Sequence, residues 1–198
     1  MKLLTLTTNL SHPGFIQFKK FYDHFGYEYD VLNPKESGFG EQMPFIVEWC
    51  KLHPDEEFIY VDAWDTIALA DITELRSKLP DCEFYGGAEY GCWPDHALTD
   101  KFPNLTLPYK YLCGGTWYAK TNLIVEMATR FPNGEKHNDQ HWMQLCFLKL
   151  YNEGRNVQLD NYGNIFQSIM LDAPETFVIE NKRVTNTLYD TKPVIIHG

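Results

Sequence analysis

Two aspartates, Asp62 and Asp65, follow the apolar run Phe58-Ile-Tyr-Val61, with Ala63 and Trp64 between them. Carboxylates held this close repel, and each resists ionising unless something positive sits between them. A divalent cation removes that penalty, and oxygen ligands suit magnesium or manganese. Trp64 adds a flat face on which a base can stack. The alternative is structural, with Asp62 capping a turn and Trp64 in the core, and Asp-x-x-Asp alone does not choose between them.

Three other segments carry groups of this kind. Val194-Ile-Ile196 runs into His197-Gly198. If this strand joins the sheet that carries Asp62, the imidazole falls beside the two aspartates. The three would then hold manganese and leave positions open for phosphate oxygens. Read alone, the segment is a histidine exposed near a chain end. Lys136-His137-Asn138-Asp139-Gln140-His141-Trp142 opens a helix, with Asn138 or Asp139 as its cap. The functional reading sets Asp139 at a pocket edge, gripping sugar hydroxyls or acting on an acceptor. His137 and His141 stand four apart, but no Glu follows the first, so zinc is not expected. Finally, Gly114-Gly115 lies inside a strand, which signals a bulge or a backbone that a ligand approaches closely. Cys113 precedes the pair, and no local feature activates it as a nucleophile.

The elements that must place these groups follow from periodicity. Residues 2–8 alternate and read as a strand. Ser11 caps a helix that Pro13 opens, with Phe15, Phe18, Tyr22 and Phe25 at helical spacing and Gly26 at its end. Residues 27–32 form a second strand, and 33–40 a loop with Pro34, Gly38 and Gly40. Residues 41–53 form a second helix, with Phe45, Ile46, Trp49 and Leu52 inward and Pro44 in its first turn. Phe58–Val61 is a strand of the kind buried on both faces. This strand–helix alternation predicts a parallel sheet, whose ligands bind beyond the carboxyl ends of the strands. Helices are expected at 71–79, 121–131 and 138–152, strands at 83–88, 111–119 and 193–196, and a long loop at 90–110.

Bulk properties narrow the partners. The 198 residues are 44% hydrophobic, which suits one folded domain over 1–198. Net charge is −10, and the only basic doublets are Lys19-Lys20 and Lys182-Arg183, which argues against a nucleic-acid partner. An acidic protein that handles phosphate needs a cation from elsewhere, such as a bound metal. Aromatics reach 15%, enough to fill a core and to line an acceptor groove around Tyr90, Trp93 and Trp117. The five cysteines show no CxxC spacing, so buried thiols are expected rather than a disulfide framework or structural zinc. The first residues are too polar for a signal peptide, and no run spans a membrane, so a cytoplasmic or otherwise intracellular protein is expected.

Taken in order, the motifs resemble the glycosyltransferase domain of the procollagen lysyl hydroxylases. Phe58-Ile-Tyr-Val-Asp-Ala-Trp-Asp65 is similar to that family's metal motif. Ala88-Glu-Tyr-Gly-Cys-Trp-Pro-Asp95, Tyr111-Leu-Cys-Gly-Gly115, Asn138-Asp-Gln140, Leu159-Asp160, Ile165-Phe-Gln167 and Ile196-His-Gly198 agree in the same order. The resemblance implies a single α/β domain with a Rossmann-like mixed sheet flanked by helices, of GT-A type. It implies Mn2+ on Asp62, Asp65 and His197. It sets Trp64 against uracil, Thr7 or Thr8 near the uridine, and Gly114 and Gly115 beside the donor. Asp139 and Asn138 fall in an acidic run implicated in transfer. Four positions depart from the family: Glu41 and Met43, where Glu41-Gln42-Met43 replaces a common Gly-Gln-Lys, Asn138, which replaces Asp, and Cys113, which replaces a small hydroxyl residue.

The expected activity is therefore transfer of a hexose from UDP-glucose or UDP-galactose to a protein or carbohydrate hydroxyl. Hydroxylysine in a collagen-like chain is one candidate acceptor. No hydroxylase part is expected in this sequence. The alternatives are a UDP-sugar hydrolase and a non-catalytic binding module of the same fold.

Overall fold

The structure is a computed structural model that describes residues 1–35, 41–103, 106–131, 138–181 and 183–198. Its frame is one mixed sheet in the order β2-β1-β3-β6-β5-β8-β11-β4, with β7 paired to β5 beside that path. The first three strands, β1 (Lys2–Leu6), β2 (Tyr29–Leu32) and β3 (Glu57–Val61), run parallel as the alternation predicts. The sheet as a whole is not parallel, because β6 (Tyr111–Lys120) runs antiparallel to both β3 and β5 (Phe84–Glu89). Beyond β5 come β8 (Phe166–Ser168), β11 (Ile195–His197) and β4 (Thr66–Ala68); β11 is parallel to β8 and antiparallel to β4. The remaining strands are β7 (Val157–Asp160) and a separate hairpin of β9 (Phe177–Glu180) and β10 (Arg183–Asn186).

Helices cover both faces. Successive side chains of a strand point to opposite faces, and β3 shows this directly. Phe58 and Tyr60 enter one apolar cluster with helices α2 (Met43–Leu52), α4 (Thr121–Arg130) and α5 (Asp139–Asn152). Ile59 and Val61 enter the other, with α1 (Pro13–His24) and α3 (Ile72–Lys78). All four are buried, which is why this run shows no polar alternation.

Some expectations need correction. His12, not Ser11, caps α1: its Nδ1 accepts from the Gly14 N–H at 3.1 Å, while the Ser11 N–H donates to Asn9 Oδ1. Gly14 is needed there because a Cβ would lie 2.2 Å from the Trp64 carbonyl oxygen. On α2, Val47 and Cys50 turn inward with Met43, Ile46 and Trp49, whereas Phe45 is exposed and Leu52 is 78% exposed. The 90–110 loop contains a 3-10 turn at His96–Lys101. Part of the 33–40 loop, including Gly38 and Gly40, lies outside the described residues, as do Lys136, His137 and Lys182. Among the described residues no helix is long and apolar enough to cross a membrane. All five cysteines are free thiols and buried.

Candidate active site

The carboxyl end of β3 leads straight into the acidic turn. The Asp62 N–H donates to the Gly115 carbonyl at 2.8 Å, and Thr66 Oγ1 donates to the Asp62 carbonyl at 2.6 Å. The first ties the end of β3 to β6, and the second closes a tight turn around Ala63, Trp64 and Asp65. The turn then runs into β4, and β4 pairs with β11 so that His197 faces Thr66. The Gly198 N–H donates to the Asp65 carbonyl at 3.0 Å. Sheet register thus brings the last strand onto the turn.

The result is a compact donor set. His197 Nε2 lies 3.6 Å from Asp62 Oδ2 and 3.5 Å from Asp65 Oδ1. One ligand atom from each of the three lies within 4.8 Å of the others. Tyr60, buried behind them, donates its hydroxyl to Asp62 Oδ1 at 3.0 Å and also touches Gln42. Gly115 leaves the room: a Cβ there would fall 2.4 Å from His197 Nε2 and 2.7 Å from Asp62 Oδ2. Gly115 therefore serves close approach by the site's own ligands, whereas a Cβ at Gly114 would meet Gln140 at 3.0 Å. The pair also lies in an irregularity of the expected kind: β6 continues through it, but its register with β5 jumps from Trp117 opposite Gly86 to Leu112 opposite Ala88.

Two carboxylate oxygens and an imidazole nitrogen form a donor set that could hold a divalent metal ion, and the absence of a side chain at Gly115 keeps it clear. Burial disfavours a charged His197, but the Cys113 sulfur and the Asp62 and Asp65 carboxylates outweigh it and hold its pKa well above the ordinary range.

A cavity of about 350 Å³ opens over this cluster, within the usual size range for small-ligand sites. Asp62, Asp65, Gly114, Gly115, Asp139 and His197 line it. Asp139 stands in the first turn of α5, where burial and the nearby Asp62 push its pKa up to about 6. Asn138 is placed differently, as the N-cap of α5: its Oδ1 accepts from the His141 N–H at 3.0 Å. His141 Nε2 lies 3.4 Å from Asp95, and His137 is outside the described residues.

Trp64 is 46% exposed beside the cluster. Its Nε1 donates to Thr7 Oγ1 at 2.9 Å, and the His12 ring stacks on it at 4.1 Å. Thr7 is buried and spends its hydroxyl on holding the indole and on the Asn9 turn, while Thr8 is partly exposed. Of the aromatics expected in an acceptor groove, Trp93 lines the cavity mouth and Tyr90 is exposed, but Trp117 is core.

Sequence reasoning assigned no role to Glu89, although it lies in the cavity and is only 7% exposed. It ends β5, accepts from Gln140 Nε2 at 2.6 Å, and burial pushes its pKa up to about 7. Its local signal was the Glu-x-x-Cys-Trp-Pro-Asp block itself. Gln140 also donates to the Trp93 carbonyl and accepts from the Gly114 N–H, tying three walls of the cavity together.

This fold is that of the GT-A glycosyltransferases. A glycosyltransferase involved in the glycosylation of the major capsid of PBCV-1 superimposes with a TM-score of 0.56 over 99% of this chain and 91% of that one, at 10% identity. The family model described as PLOD GT domain matches residues 1–198, and the chain belongs to that family of glycosyltransferase domains. Procollagen-lysine,2-oxoglutarate 5-dioxygenase 1 of Gallus gallus is 27% identical over 99% of this chain and 29% of its own length. The human multifunctional procollagen lysine hydroxylase and glycosyltransferase LH3 is 25% identical over 100% of this chain and 29% of its own length. The chain thus spans under a third of these curated relatives.

Proposed function

We propose that residues 1–198 form one metal-dependent hexosyltransferase domain that uses UDP-glucose or UDP-galactose. The observation that carries this reading is the Asp62–Asp65–His197 donor set lining a cavity of about 350 Å³ in a glycosyltransferase fold. Asp62, Asp65 and His197 would hold Mn2+, which when bound supplies a Lewis acid for the donor diphosphate. The chain's own residues do the rest. Trp64, fixed by Thr7, offers its indole to the uracil. The glycine at 115 keeps bulk away from the ligands. Asp139, with its raised pKa, faces the same cavity and either grips the transferred sugar or orients the acceptor hydroxyl. An acceptor hydroxyl on a protein or carbohydrate is proposed, with hydroxylysine in a collagen-like chain suggested by the names of the relatives.

Release of UDP from each UDP-sugar, with and without acceptor, tests this directly. Acceptor-dependent release supports transfer. Equal release without acceptor means hydrolysis, and no release with Mn2+ present means a binding module. A thermal melt supplies the ligand readout. At Mn2+ and UDP near 100 times Kd, mass action adds about 2.7 kcal/mol, or about 5–10 °C in a domain of this size. A UDP shift that does not need Mn2+ overturns the metal assignment.

A further inference from the structure

We propose that Cys113 is a positioning residue for His197, as the middle member of a hydrogen-bonded chain from Glu89 through the thiol to the imidazole. The proposal rests on the metal reading above. An imidazole that gives Nε2 to a metal carries its hydrogen on Nδ1, and the partner of that hydrogen fixes the ring and its basicity. In most metal sites the partner is a carboxylate or a carbonyl. Here His197 Nδ1 lies 3.2 Å from Cys113 Sγ, and both residues are buried.

A thiol can donate its own hydrogen while its sulfur accepts another. Interaction with the Cys113 thiol partly offsets the burial that raises the Glu89 pKa, so Glu89 is the acceptor assigned to the S–H. With Nε2 given to a metal, the assigned directions run one way. Nδ1–H donates to Sγ, S–H donates to Glu89, and Gln140 Nε2 donates to Glu89 Oε1 at 2.6 Å. Each hydrogen has one place to go, and the carboxylate acts on the ring through sulfur. The other cysteines set the contrast. Cys50, Cys92 and Cys146 belong to one apolar cluster and Cys82 to the other, whereas Cys113 belongs to neither.

Mn2+ affinity, read from the loss of the free-ion paramagnetic resonance signal without nucleotide, tests the chain on the whole protein. Cys113→Ala is expected to weaken Mn2+ binding about 10- to 100-fold, the usual effect of losing such a partner. Cys113→Ser keeps both a donor and an acceptor and is expected to bind within about threefold of the parent. Cys113→Val, which fills the space but offers no hydrogen bond, is expected to match the alanine variant and serves if alanine does not fold. His197→Ala is the reference. If it weakens binding while Cys113→Ala and Cys113→Val bind like the parent, the chain is wrong and the metal site stands. The chain is also wrong if serine binds as poorly as alanine. If the parent takes up no Mn2+, or His197→Ala binds equally well, the metal site and the chain fall together.

Discussion

The two ends of β5 carry glutamates in opposite circumstances. Glu83, just before the strand, accepts two hydrogen bonds from Arg155, at 2.6 and 2.9 Å. Arg155 also holds Glu126, and Arg130 joins Glu126 to Glu153. Pairing with Arg155 holds the Glu83 and Glu126 carboxyls below their ordinary pKa, and Arg130 does the same for Glu153. Glu89, at the other end, shares its cavity with Asp62, Asp65 and Asp139, and among the described lining residues only His197 can carry positive charge. There burial pushes Glu89 up to about 7 and Asp139 up to about 6. One end is arranged for stability. The other gathers four carboxyl groups around one histidine, an arrangement that the proposed cation would complete.

The largest effect expected from breaking this asymmetry is on turnover. Asp65→Ala should lower UDP release by about 100- to 1,000-fold, the scale for losing a group that stabilises developing charge. Its melting temperature without metal should change little, because the repulsion lost from Asp62 and the pairing lost with His197 oppose each other. Normal turnover would place the metal elsewhere. Gly115→Ala comes next. Overpacking costs about 1–3 kcal/mol, so Mn2+ titration should show about 5- to 150-fold weaker binding as His197 and Asp62 are pushed apart.

The two ends of β5 should then separate by melting alone. Arg155→Ala is expected to lower the midpoint by about 2–4 °C, from a loss near 1 kcal/mol, with Mn2+ affinity unchanged. Glu89→Gln should instead raise the metal-free midpoint at pH 8. The folded pKa of Glu89, about 7, lies above its ordinary value of 4.5. Its favourable contribution is therefore complete below pH 4.5 and is lost as pH rises through 7. The gain from glutamine should grow across that window. A midpoint gain of the same size at pH 5 and pH 8 would show that Glu89 is not titrating there.

How much of this was legible in sequence depends on how local each signal is. Asp62 and Asp65 could be read because an uninterrupted apolar run marks a buried strand and its end. The companions needed tertiary information. His197 near the end of the sequence looks like any exposed histidine until β11 is known to pair with β4. Glu89 looks like a loop glutamate until burial and Gln140 are seen. Thr7 was expected near the uridine, and its hydroxyl accepts from the Trp64 indole, since a hydroxyl's direction is not written in its position. The short strands β4 and β7 to β10 were missed because three or four residues carry too little periodicity. On α2, apolar residues outnumber the inward places, so counting them could not select the buried face.

The pairing of β11 between β8 and β4 has a consequence for how the molecule assembles. Cys113 and His197 meet across 84 residues of chain, so the site exists only after a long loop has closed. Contacts of this separation slow folding, because the entropy of closure comes before the reward. A cation that binds only the closed form would hold that loop shut, so metal uptake during refolding should mark the moment the last strand docks.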